Sequence, residues 1–146
     1  MSPWLPVFVL VAVLCLGARV LECTRGADGA VKASLGWRWL GFVPFGRDRE
    51  FGFDEVLVSP VRESGRDEDG DRVDRRYEQV VLKSSGSWVA LDEGWRRPEA
   101  TAEKLRGFLA DRDAQRLRLK SVSGTGLFWA LFMIGAALFL HLATAR

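Results

Sequence analysis

The sequence predicts an α+β membrane protein in which two transmembrane helices flank a small antiparallel β-rich domain closed by one amphipathic helix. Three observations lead to this prediction. Both ends of the 146-residue chain are apolar and nearly free of charge. Short runs of β-branched and aromatic residues, divided by turn residues, follow the first apolar end. A segment with a helical apolar stripe precedes the second apolar end.

The first apolar segment predicts a transmembrane helix over residues 4–22. Leu5 to Leu21 carries one charge, Arg19, whose long side chain can reach the lipid headgroups. This run is close to the lower limit of about 17 residues for a membrane-spanning helix. Trp4 is well placed as an interfacial anchor.

A cleaved signal peptide is the alternative interpretation of this segment. No Lys or Arg precedes the apolar run, and no small-x-small cleavage site stands out. We therefore expect an uncleaved anchor. The alternative, an exported domain with a cleaved signal peptide and a carboxy-terminal anchor, stays open.

The two cysteines are eight residues apart, at Cys15 and Cys23. In one continuous helix they would lie about 12 Å apart along the axis, too far for a disulfide. We expect Cys15 to be an apolar helix residue and Cys23 to be a free thiol near the membrane boundary.

The second apolar segment predicts a transmembrane helix over residues 122–142. It contains no Asp, Glu, Lys or Arg, and about 1.5 Å per residue gives it the length of the hydrocarbon core, roughly 31 Å. Small residues allow another helix to approach closely. The candidates for helix packing are Gly126, Ala130 and Gly135.

The middle segment, residues 24–97, is predicted to be a β-rich domain. Its candidate strands are Val31 to Phe42, Arg49 to Ser59, Val73 to Ser84 and Ser87 to Leu91. The segment RESGRDEDGDR, Arg62 to Arg72, contains no apolar residue and is predicted to be a solvated, mobile loop.

Residues 98–120 are predicted to form one amphipathic and basic helix. Pro98 suits the first turn of a helix, and Ala102, Leu105, Phe108 and Leu109 fall on one face. We expect that face to cover the sheet. The basic continuation to Lys120 is expected to carry the chain to the membrane surface.

The run LGWRWLGFVPFGRDREFGFDEVLVSP, Leu35 to Pro60, with the helix PEATAEKLRGFLA, Pro98 to Ala110, resembles bacterial PH-like-domain membrane proteins. The order of strands followed by a closing helix is similar, although the long charged loop departs from the family. The resemblance implies a domain that binds or scaffolds, with no catalytic residues. We expect a bacterial inner-membrane protein without a cofactor.

Charge near the two apolar segments predicts the sidedness of the chain. Basic residues concentrate on the flanks that face the middle domain, so the positive-inside rule places that domain in the cytoplasm. The same residues can attract anionic headgroups. The candidate lipid-contacting residues are Arg112, Arg116, Arg118 and Lys120. A formal net charge of +2 is too small to favour nucleic-acid binding.

Four acidic residues have the spacing of calcium ligands: Asp67, Asp69, Asp71 and Glu78 occupy positions 1, 3, 5 and 12 of a loop. Position 6 is Arg72 where glycine is needed, and the flanks resemble strands. A charged hairpin loop is the favoured interpretation, and no metal is predicted.

His141, the only histidine, lies in the second apolar segment. An ionisable residue in a membrane helix is a candidate functional residue, here a haem or pigment ligand. Near the end of the helix it can equally be a polar residue at interface depth. No other histidine is present to act as the base partner of a Ser or Cys nucleophile, so we expect no enzyme. The expected partners are membrane lipids and an integral membrane protein or a second copy.

Overall fold

The computed structural model describes residues 5–40, 42–66, 68–91, 95, 97–122 and 124–144. This part of the chain forms an α+β fold with two antiparallel sheets, ordered β3-β2-β1-β7 and β4-β5-β6. The elements are α1 (Leu5–Cys15), β1 (Gly17–Arg25), β2 (Val31–Trp39), β3 (Val43–Gly52), β4 (Glu55–Arg66), β5 (Arg72–Ser84), β6 (Ser87–Ala90), α2 (Pro98–Ala110), β7 (Arg116–Val122) and α3 (Gly124–Thr144).

The chain divides into two compact units. Unit 1 comprises Met1–Leu21, Leu35–Arg49 and Lys120–Arg146, and it includes both apolar helices. Unit 2 comprises Glu22–Ser34 and Glu50–Leu119, and it includes α2 and the three-stranded sheet.

Helix α2 supplies one side of the core of unit 2. It packs on β4 and β5, and its buried residues are Ala102, Leu105 and Phe108. The sheet opposite it contributes Val56, Val80 and Leu82, all of which are buried. Because apolar residues recur at helical spacing on one face only, α2 leaves its polar face in water.

The predicted strand Arg49 to Ser59 is interrupted at Phe53 and Asp54, where the chain passes from one sheet to the other. The Phe53 N–H donates to the carbonyl of Val31 in β2 at 3.3 Å, and the Asp54 N–H donates to Lys83 in β5 at 2.9 Å. Phe53 itself is buried. The segment that was predicted as one strand therefore contributes to two sheets. Alternation of apolar and polar residues alone does not reveal this division.

The expectation of one helix over 4–22 was wrong in extent, since α1 ends at Cys15 and residues 17–25 form β1. The Leu16 N–H donates to Val13 at 3.1 Å, which tightens the last turn. Gly17 then packs against Trp37, where a Cβ would lie 2.2 Å from an indole carbon. Ala18, Val20 and Leu21 are buried in this strand, which accounts for the apolar composition of the segment.

Cys23 is a free thiol, as expected, and it is a core residue of β1. Its position relative to a membrane boundary stays a prediction. Its side chain is fully buried, and this burial raises the pKa of the thiol to about 12. The side chain of Cys15 lies outside the described residues.

The expectation of one helix over 98–120 was also wrong in extent, since α2 ends at Ala110 and β7 follows. Arg25 of β1 covers the end of α2: its Nη2 donates to Phe108 O at 2.7 Å, and its guanidinium lies 5.3 Å from the Phe108 ring centroid. A cation is favourable at the last carbonyls of a helix. Beyond them, Arg-Leu-Arg-Leu-Lys has the two-residue period of a strand.

The charged segment Arg62 to Arg72 was predicted to be a loop, but most of it belongs to a paired ribbon. β4 and β5 pair continuously from Glu55↔Lys83 to Arg66↔Arg72, whereas β6 pairs only with Val81 to Ser84. The outer part of β4 and β5 therefore extends past β6 as a two-stranded ribbon. Its side chains are largely exposed, as expected for a charged segment.

Candidate membrane-interface site

Helix α3 carries the most extensive apolar surface of unit 1. Gly126–Ala143 is long and apolar enough to cross a membrane, and only 11% of this segment is buried within the structure; no other helix among the described residues meets that description. The exposed side chains include Leu127, Phe128, Leu131, Phe132, Leu138 and Phe139. In water this surface would be costly, whereas hydrocarbon is a favourable surrounding.

Helix α1 packs against α3. Small side chains are the buried ones: Ala12 in α1, and Ala130 and Ala137 in α3. Such small residues let the backbones of two helices approach each other closely. Of the predicted packing residues, Ala130 is buried and Gly126 half-buried, whereas Gly135 is exposed and a Cβ there would meet nothing within 4 Å.

The turn between β2 and β3 carries a second apolar surface in unit 1. Four exposed side chains, here called the apolar tip, are Leu40, Phe42, Val43 and Phe45. Phe45 stacks on Trp39 with ring centroids 4.9 Å apart. The Leu40 N–H donates to Leu16 O at 2.8 Å, which fixes the tip beside the residue joining α1 to β1.

An ion pair lies just behind the apolar tip. Arg38 of β2 and Asp48 of β3 form two hydrogen bonds, one of them 2.7 Å long from Nη1 to Oδ1. Their side chains are 15% and 26% exposed. The hydrogen bond that Arg38 donates to the Asp48 carboxylate raises the pKa of the Arg38 guanidinium above its ordinary value. Gly36 makes room for the pair, since a Cβ there would meet Asp48 Oδ1 at 2.1 Å.

The predicted lipid-contacting residues lie in and just before β7. Arg116, Arg118 and Lys120 occupy alternate, exposed positions of the strand, and Arg112 is exposed in the turn before it. Arg116 forms an ion pair with Glu22 of β1. A strand, not the predicted helix, brings three of the four basic residues to one face.

The candidate calcium ligands do not converge. Glu78 lies seven residues beyond Asp71, within β5 and opposite Pro60. About 3.3 Å per residue along a strand separates the two by roughly 23 Å. Asp67 lies outside the described residues, and the described ones include no group of three or more acidic, His or Cys side chains able to hold a metal.

His141 lies in the last turn of α3 and is exposed. Its location at interface depth in a membrane stays a prediction. Ligation of a haem or pigment stays a prediction.

Unit 2 contains an open pocket of about 490 Å³ between β1, β2 and β3. Its lining mixes apolar side chains such as Val31 and Phe51 with the charges of Glu22, Lys32 and Glu50. The pocket therefore combines apolar surface with charges of both signs.

Sequence reasoning missed the apolar tip. The signal was the run Leu40 to Phe45, in which four large apolar residues surround Gly41 and Pro44, the composition of an exposed turn that nevertheless carries hydrophobic side chains. No family model, curated protein or solved structure matches the chain, so the resemblance to PH-like membrane proteins stays a prediction.

Proposed function

We propose that the protein is a membrane-anchored, non-catalytic binding module that holds a partner protein at the membrane surface, as an accessory or assembly subunit. The observation that carries the proposal is α3, whose 21 residues match the thickness of the hydrocarbon core and whose apolar side chains are mostly exposed. The β-rich remainder is polar and supplies the binding surface.

In this proposal α1 enters the bilayer beside α3. Its eleven described residues extend about 16 Å, roughly half of the hydrocarbon core. Ala12 faces α3, whereas Val7, Val9 and Leu10 are exposed and would contact lipid. The two helices then form a hairpin in which small residues make the helix contact and large residues meet acyl chains.

The proposed orientation places the β-rich domain in the cytoplasm at the inner membrane of a bacterium. The support is the cluster of basic residues that precedes α3, because basic residues mark the cytoplasmic flank of a membrane helix. These residues are Arg112, Arg116, Arg118 and Lys120. Contact of those residues with anionic headgroups would contribute about 1 kcal/mol each.

The β4–β5 ribbon is the proposed binding element for the partner protein. β4 is an edge strand of its sheet, so its outer backbone groups can pair with another chain. Cross-strand side-chain contacts link its two strands: Arg62 with Asp74 at 2.8 Å, and the Tyr77 hydroxyl donating to Glu63 at 2.9 Å. A preformed ribbon lowers the ordering cost of binding.

Site-specific photo-crosslinking in cells tests this assignment. A photoreactive amino acid replaces Ser64, an exposed residue of the ribbon, or Ser85, an exposed residue in the turn between β5 and β6. We expect Ser64 to give a discrete protein adduct and Ser85 to give none. An adduct with a second copy would make the partner the protein itself. The absence of any adduct at position 64 would contradict the binding role of the ribbon.

A further inference from the structure

The apolar tip exposes hydrophobic area where a soluble turn would be polar. Phe42 is 67% exposed and Phe45 is 55% exposed. Neighbouring exposed apolar side chains mark an interaction surface more often than isolated ones do. The tip therefore requires an occupant, and its position in unit 1 indicates which one.

The position follows from the backbone contact between Leu40 and Leu16. Leu16 follows directly on α1, and its carbonyl accepts the Leu40 N–H. Helix α1 is packed on α3, the candidate membrane span. β1, which follows Leu16, is the sheet neighbour of β7, which leads into α3. If α3 crosses a bilayer, the end of α1 and the apolar tip would therefore lie near the start of the span, at the boundary between acyl chains and headgroups.

Leu40 adopts a backbone conformation that disfavours leucine. Its φ is +52°, the left-handed region in which glycine or asparagine is the usual residue. A large apolar side chain kept at such a position, and left 47% exposed, indicates that the side chain serves a contact outside the fold.

The charges near the tip suit a lipid headgroup layer. Arg38 and Asp48 satisfy one another, which limits the cost of bringing them close to hydrocarbon. Arg47 and Arg49 follow the tip along β3 and are exposed. Arginine can bind phosphate while its stem lies along apolar surface.

We infer that the apolar tip inserts into the interfacial layer of the bilayer that holds α3, with Leu40, Phe42 and Phe45 among acyl chains and Arg47 and Arg49 on lipid phosphates. This inference rests on the proposed membrane span. It gives the protein a third attachment beside α1 and α3. A protein held by one helix alone can rotate about the axis of that helix. Insertion of the apolar tip would limit this rotation.

Depth measurements with a fluorescent label test the insertion. The full chain, carrying Cys15→Ala, is labelled with an environment-sensitive dye at one introduced cysteine: Phe42→Cys in the tip, Trp88→Cys in β6 or Phe139→Cys in α3. Trp88 is the matched control because it is an aromatic residue 66% exposed, close to the value for Phe42. Cys23 is buried and does not compete for the dye. The proteins are reconstituted into vesicles of phosphatidylethanolamine and phosphatidylglycerol.

We expect the dye at positions 42 and 139 to emit at shorter wavelength and to lose most of its quenching by aqueous iodide, while the dye at position 88 stays quenched. Protection at 139 with full quenching at 42 would overturn the tip insertion and leave the membrane span intact. Full quenching at 139 would overturn the proposed span and the inference with it. Protection at all three positions would assign the effect to general burial and overturn the tip insertion.

Discussion

The backbone N–H of Leu40 lies 2.8 Å from the carbonyl oxygen of Leu16 and donates a hydrogen bond to it. This contact joins the turn between β2 and β3 to the residue at which α1 gives way to β1. It uses the Leu16 carbonyl, one of the acceptors that a helix end leaves unpaired. The same contact positions the apolar tip beside the helices of unit 1.

Two substitutions at Leu40 distinguish the effect of its backbone conformation on stability from the effect of its side chain. Leu40→Gly relieves the left-handed strain but adds chain entropy, so we expect the free energy of unfolding to stay unchanged or to rise by up to about 1 kcal/mol. Leu40→Ala keeps the strain and should give no gain. Thermal unfolding in mild detergent measures both. A loss in both variants would mean that the leucine side chain is packed within the fold, and a larger loss for Leu40→Gly than for Leu40→Ala would contradict the backbone strain.

Arg25 joins β1 to the end of α2, and its removal should destabilise unit 2. Its guanidinium donates to Phe108 and Ala114 and covers the Phe108 ring. We expect Arg25→Ala to lower the free energy of unfolding by about 2 kcal/mol. The variant loses the charged hydrogen bonds and the favourable interaction of the guanidinium with the end of the helix dipole. Arg112→Ala is the matched control at an exposed position and should change it by less than about 0.5 kcal/mol. Equal effects would contradict the capping role of Arg25.

Cys23 should make the protein less stable at alkaline pH. Burial raises the pKa of its thiol from 9.0 to about 12. Between these two pH values the thiol therefore ionises only in the unfolded chain. Stability due to the protonated thiol is complete below pH 9 and falls as pH rises towards 12, by up to about 1.4 kcal/mol per unit. Comparison of unfolding curves of the parent and Cys23→Ala isolates this slope. Parallel curves for the two proteins would contradict the burial of the thiol.

Labelling from the two sides of the membrane tests the proposed orientation. Ser85→Cys places a thiol in the exposed turn before β6, and Ala143→Cys places one near the end of α3, both with Cys15→Ala. We expect an impermeant maleimide to modify Ala143→Cys in intact cells and Ser85→Cys only after permeabilisation. The reverse pattern would place the β-rich domain outside the cytoplasm.

Several elements were predictable because one local signal dominated each of them. The long apolar run specified α3 within two residues, Pro98 and the stripe from Ala102 specified the start of α2, and alternation specified β5 and β6. For α2 the stripe also agrees with burial, since Ala102, Leu105 and Phe108 are its buried residues.

Other elements were hidden by context. Val20 and Leu21 continue the apolar run of α1, and only their pairing within a sheet distinguishes a buried strand from a helix. The alternation of Leu117 and Leu119 with basic residues did indicate a strand, but its position after α2 favoured a longer helix. Nothing local predicts a left-handed leucine at position 40, because this conformation depends on distant packing.

The central claim is that α3 lies in a bilayer, and extraction of membranes with alkaline carbonate tests it most directly. The full chain should stay in the membrane pellet, because exposed side chains such as Leu131 and Phe132 contact acyl chains. A variant carrying Leu131→Arg and Ile134→Arg provides the comparison and should appear in the supernatant. Release of the unaltered chain into the supernatant would contradict the account.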